Sequence, residues 1–166
     1  METCLNGFGV GSTDKSKMPT THVDDDELLY RRVPNKPENL QVVDGKRTVA
    51  TSAFNCRFRQ PSVNRCVLLP DPIDSKIEDT DGIVGVVAKN VREITSISRA
   101  APATDFYRIL VEARPILRDN LEGAAENLAH AQIESAPAME NNQRFRKLKE
   151  ALAWLANQRP WIIEPS

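Results

Sequence analysis

Aromatic side chains make up only 5% of the chain, so a core must be assembled from Leu, Val, Ile and Ala. Cysteine is scarcer still. Cys4, Cys56 and Cys66 are an odd number at irregular spacing, which reads as no disulfide framework, and with two histidines they match no zinc pattern. No metal and no cofactor is expected. No apolar run approaches the ~20 residues that cross a bilayer, so no membrane partner is expected. The first residues lack a basic segment followed by an apolar one, so no secretory leader is expected and the cytoplasm is the expected location. A net charge of −1 excludes a protein that coats nucleic acid by bulk charge. One absence is local. From Gly45 to Pro70 no acidic residue occurs, while Lys46, Arg47, Arg57, Arg59 and Arg65 all fall there. Acidic blocks flank this run, Asp24 to Glu27 before it and Asp71 to Asp81 after it.

What is present suffices for one domain. Apolar residues are 40% of 166, and a chain of this size buries roughly two-thirds of its unfolded surface. Residues 1–21 are rich in Gly, Ser, Thr and Lys without a sustained period, and read as a flexible N-terminal tail before a single domain over 22–166. Residues 40–54 predict a β-hairpin turning on Asp44-Gly45, since both central residues of such a turn need positive φ. That turn sets Leu40 opposite Val49 and Val42 opposite Arg47. Residues 62–69, 82–91 and 106–117 read as further strands or buried segments, punctuated by prolines. Residues 119–134 fit a helix, with Asp119 and Glu122 as a capping box and Leu121, Ala124, Ala125 and Leu128 at helical spacing. Residues 140–157 predict a second helix, striped by Phe145, Leu148, Leu152 and Leu155 and stopped by Pro160. Strands first and helices later predict an α+β fold, with an antiparallel sheet built around the 40–54 hairpin and helices mainly in the C-terminal half.

Chemistry is harder to find. GVGSTDKS at 9–16 is a near miss to a phosphate-binding loop, but Asp14 stands where the second glycine belongs and would repel phosphate. In HVDDDELLYRRV, residues 22–33, the acidic run suits the first turn of a helix. Two other readings stand beside it: His22, Asp24 and Asp26 on a cation, or Arg31 and Arg32 gripping a phosphate with Tyr30 stacked nearby. CRFR at 56–59 interleaves an aromatic with arginines, as single-stranded nucleic-acid grooves do; the ordinary reading is arginines paired with the acidic flanks. His130 lies four residues from both Glu126 and Glu134, so on a helix the three share a face, either as an oriented general base or as a surface ion pair. Ser62 is a turn serine unless a base reaches it from elsewhere.

ELLYRRV, then Ala53-Phe54, then Ser62-Val63, then N-x-x-H-A at 127–131 together resemble a family of small bacterial proteins with no established activity. The order of an early arginine, a hairpin and a serine is also loosely similar to ADP-ribosyltransferase-like domains. That resemblance would put Arg31 or Arg32 and Ser62 around NAD, with Glu134 or His130 in the last place. The E-x-E stretch of that group is missing. The leading expectation is an accessory or partner-binding domain with a protein partner. One alternative is a small enzyme holding a phosphate-bearing ligand through Arg31, Arg32, Ser62 and His130. Another is a nucleic-acid-contact protein using Arg47, Arg57, Arg59 and Arg65. No nucleophile and base can be paired from the sequence, so whether the chain is an enzyme stays open.

Overall fold

A computed structural model describes residues 21–95, 97 and 106–166. Most of the predicted tail and the phosphate-loop near miss lie outside them. Five strands form an antiparallel sheet in the order β5-β1-β4-β7-β6, where β1 is Leu28–Val33, β4 Ser62–Arg65, β5 Gly82–Val87, β6 Arg108–Ala113 and β7 His130–Ala136. The hairpin strands β2 (Leu40–Val43) and β3 (Lys46–Val49) pair beside it as a sheet of their own. Among the described residues two α-helices occur, the short α1 (Ala88–Arg92), which packs on β5 and β6, and the long α2 (Asn142–Asn157), which packs on β5 and β3. The fold is α+β and antiparallel, as the sequence predicts. The hairpin has the predicted register, Leu40 opposite Val49 and Val42 opposite Arg47. Asp44 and Gly45 take φ of 51° and 74°, the positive values a two-residue turn demands.

Period-two alternation gives the large sheet two unlike faces. Leu29, Val33, Val63, Val84, Val86, Val111, Ala131 and Ile133 point to one side. There they meet Phe145, Leu148 and Leu152, the buried part of the α2 stripe; Leu155 is half-buried at its end. Asn141 caps α2 by accepting the Arg144 N–H at 3.0 Å. The opposite side carries a smaller apolar group, Tyr30, Cys66 and Ile83, which residues 162 and 163 partly cover. The Ile163 carbonyl accepts the Ile83 N–H at 2.8 Å, so the C-terminal segment closes the β5 edge. A Cβ at Gly82 would stand 2.8 Å from both Pro165 and Trp161, so only glycine lets that segment lie so close.

Several expectations are corrected. Residues 119–134 hold no helix: 117–128 are irregular, and His130 already belongs to β7. Leu121 is fully exposed at 106%, so a helical stripe there would have no core to cover, while Ala129, Ala131 and Ile133 bury at strand spacing between β4 and β6. Glu126 therefore shares no helix face with His130 and Glu134. The acidic run 24–27 starts no helix. It forms a turn, closed by the Glu27 N–H on the Asp24 carbonyl at 3.2 Å, that leads into β1. Residues 82–91 change from strand to helix at Ala88, and CRFR lies in a turn. Cys66 is disulfide-bonded, which irregular spacing does not forbid, because a bridge depends on closeness in space and not in sequence. Cys56 is the free cysteine among the described residues.

Candidate functional site

The four residues proposed for a phosphate ligand do not converge. Arg31 leaves β1 on the α2 side. Its Nε and Nη2 donate to the Ala53 carbonyl at 2.9 and 2.7 Å, and Nη2 also reaches the Asn55 carbonyl at 3.2 Å. Nη1 donates to the Ser62 carbonyl at 2.8 Å, and the guanidinium lies 5.7 Å from the Phe54 ring. This arginine ties the segment after the hairpin to the sheet. Burial lowers its pKa to about 10, with the Cys56 thiol pulling it up and Arg32 pushing it down. Arg32 points to the other face and pairs with Asp81 at 3.0 Å.

Ser62 and His130 share that second face, but not as a pair. Ser62 stands opposite Gln132, and His130 opposite Asn64. His130 Nδ1 lies 2.7 Å from the Arg114 carbonyl, so Nδ1 carries the proton and donates. Asn64 donates to Ser75 Oγ at 3.1 Å and accepts from Asn127 at 2.8 Å. Glu134 is gripped in two places by Arg114, at 2.7 and 3.0 Å. These contacts join strand to loop, and among the described residues none couples a nucleophile to a base. Around His22 and Asp24, which stand 3.3 Å apart and exposed, no cluster of three metal-ligating side chains occurs among the described residues.

The basic run divides. Arg65 is 1% exposed and cannot join an outward-facing patch. Its Nε and Nη2 grip Glu27 at 2.8 and 2.5 Å, and Nη2 also donates to the His22 carbonyl at 2.8 Å. Here is the role of the acidic stretch before β1: its last carboxylate goes inside. Arg59 reaches Met139 and Asn142 at the start of α2. Arg57 lies over the Phe58 ring at 5.3 Å on an exposed turn. Arg47 donates to the Pro165 carbonyl at 2.5 Å, at the far end of the hairpin.

Two adjoining clefts flank the C-terminal end of α2. The first, of about 620 Å³, runs between β5, α1 and α2 and is walled by Val87, Ile94, Ala151, Trp154 and Leu155. Trp154 is 62% exposed there. The second, of about 860 Å³, opens between the hairpin and residues 157–164, with Lys46, Arg47, Thr48, Trp161 and Glu164 around it. Gln158 and Arg159 border both. Two staples fix the second cleft. Asn157 bonds the N–H and the carbonyl of Val49 at 2.9 and 3.0 Å, and Trp161 Nε1 donates to the Arg47 carbonyl at 2.9 Å. Reasoning from sequence missed this surface, though a signal existed. Both tryptophans of an aromatic-poor chain fall within its last stretch, and Trp154 lies off the apolar stripe of its helix. Comparison of the chain with protein-family models, with curated proteins and with solved structures returns no match.

Proposed function

We propose that this chain is an accessory domain that binds a protein partner at the two clefts beside the end of α2. The observation that carries the reading is Trp154, exposed on the wall of an apolar cleft although the core of the same helix is fully packed. Large aromatics at the centre of a pocketed surface are the residues that most often dominate binding energy between proteins. A photoreactive amino acid at position 154 tests it in cells. Covalent capture of a defined protein, absent when the probe sits at exposed Ile73, is the expected result. No capture from position 154 or from its neighbour Gln158 overturns the reading.

A cytoplasmic setting is part of the same proposal. No helix among the described residues is long and apolar enough to cross a membrane. The disulfide at Cys66 makes the setting testable, because such bonds form and persist in oxidising compartments. A reducing cytoplasm would open that bond, so thiols trapped in intact cells by acid quench and denaturing alkylation should include Cys66. Finding Cys66 blocked in every molecule moves the domain to an oxidising compartment.

A further inference from the structure

We infer that two copies of this chain pair through β6, edge to edge and antiparallel, joining their sheets across a two-fold axis at Leu110. This goes beyond the partner-binding reading, and β6 shares no residue with the clefts beside α2. The large sheet ends in β5 on one side and β6 on the other. The C-terminal segment closes the β5 edge. At the other edge the Arg114 N–H donates to the His130 carbonyl at 3.0 Å, which fixes the phase of the ladder. Arg108, Leu110 and Glu112 therefore bond to β7, and Ile109, Val111 and Ala113 turn their backbone groups outward. Among the described residues those outward groups meet one partner, Arg92, whose Nη2 donates to the Val111 carbonyl at 3.3 Å. A carbonyl has two lone pairs, so a second donor still fits there. Natural sheets blunt such edges with lysine, proline or a bulge, and RILVEA at 108–113 has none of them.

The occupant is a second copy because the strand complements itself. With Leu110 on the axis, Ile109 lies opposite Val111 of the other copy, and Arg108 lies opposite its Glu112. Ile109 and Val111 then exchange N–H···O=C bonds across the axis. The Arg108–Glu112 and Leu110–Leu110 pairs fall at the positions without hydrogen bonds, where side chains approach most closely. A slip of two residues either way ruins this match, setting Arg108 opposite Arg114 or opposite Leu110. The Arg108 side chain is exposed and makes no hydrogen bond or ion pair with a described residue. Glu112 lies near Arg114, but Glu134 already grips that arginine. The hollow beside Glu112 also holds His22, Asp24, Asp25 and Arg92, with Asp25 on Arg92, so an incoming arginine meets more carboxylate than guanidinium. A net charge of −1 sets no strong repulsion between copies. One strand pair falls short of the roughly 1,200 Å² of a stable interface, so the dimer is weak and concentration-dependent.

Sedimentation of the full chain across the micromolar range tests this, with monomer giving way to dimer as the expected result. Arg108→Glu and Glu112→Arg each turn the attractive pairs into repulsive ones, and each should weaken self-association about tenfold at an unchanged melting temperature. Mixed together, the two variants regain opposite charges at both pairs and should associate as well as the wild type does. Leu110→Cys sets two thiols across the axis, near the spacing a disulfide spans. Mild oxidation should cross-link it, while the wild type, Arg108→Cys and Glu112→Cys should stay monomeric on denaturing gels. Leu110→Cys decides the matter if a charge reversal lowers the melting temperature. A chain that stays monomeric throughout overturns the inference and leaves the partner-binding reading standing, since capture from position 154 judges that separately. A dimer indifferent to both charge reversals joins elsewhere, and one cross-linked better through Glu112→Cys than through Leu110→Cys joins in another register; either overturns the inference.

Discussion

Two arginine–carboxylate pairs stand on opposite faces of the same sheet. Arg65 and Glu27 meet on the helix-covered face, with side chains 2% and 4% exposed. Arg32 and Asp81 meet on the other face, where the arginine side chain is 33% exposed. The chemistry is the same and the surroundings are not. The first pair lies beside Leu29, its neighbour across β1 and β4, where a charge without its partner would have no water to turn to. The second keeps solvent at one end, and its carboxylate also accepts the N–H groups of Ile77 and Glu78 at 3.2 and 2.9 Å. The helix-covered face is thus committed to stability. The partly open face tolerates polar groups such as Asn64, His130 and Gln132 because water and loops share their hydrogen bonds.

Glu27→Ala should break the comparison most sharply. It leaves the Arg65 guanidinium buried against apolar neighbours, and a loss of about 3–5 kcal/mol in a denaturant titration is expected. A loss no larger than that from removing Asp81 would mean that water reaches Arg65. Leu152→Ala tests the same face without charge. Leu152 is fully buried between α2 and the sheet, so about 2–5 kcal/mol should be lost. Asn157→Ala comes next. It removes both hydrogen bonds that fasten α2 to β3 and should cost about 1–3 kcal/mol, chiefly through the unpaired groups of Val49. Faster hydrogen exchange confined to the hairpin would sharpen the picture of a separately docked sheet.

The legible parts of this fold are those where local chemistry and tertiary need agree. Asp44-Gly45 requires its turn whatever surrounds it, and the stripe of α2 is long enough to settle its own period. Residues 119–134 hold two competing patterns. Leu121, Ala124 and Leu128 follow a helix, Ala129, Ala131 and Ile133 a strand, and the empty place between β4 and β6 decides for the strand. No local signal contains that vacancy. Nor does sequence show which arginine is inside. Arg65 follows Asn64 in a polar-looking run, yet it is the largest fully buried side chain among the described residues because Glu27, far off in the chain, comes to meet it. The clefts were least legible, since each is walled by segments distant in sequence, while their tryptophans lie in plain view.

The smallest effect should come from the second pair, whose carboxylate also responds to pH. Arg32→Ala removes a one-third-exposed partner but leaves the 2%-exposed Asp81 carboxylate on its two backbone donors, and should cost about 1 kcal/mol at neutral pH. Asp81 is pushed up by burial, but the Glu78 N–H, the Arg32 side chain and the Ile77 N–H outweigh this and hold its carboxyl below the ordinary 3.8. Between the folded value and the unfolded one, the unfolded chain carries the extra proton, so stability rises with pH through that window. The contribution is complete above the ordinary carboxylate range and is lost as pH falls through the folded value. Asp81→Asn should therefore flatten the acid limb of the stability curve below about pH 4, the ordinary carboxylate range. Arg32→Ala should flatten it partly, since the two backbone donors still favour the carboxylate. Melting curves at stepped pH for the wild type and both variants measure this. An acid limb of unchanged slope in Asp81→Asn would place the acid-sensitive group elsewhere and leave the two faces alike in their response to protons.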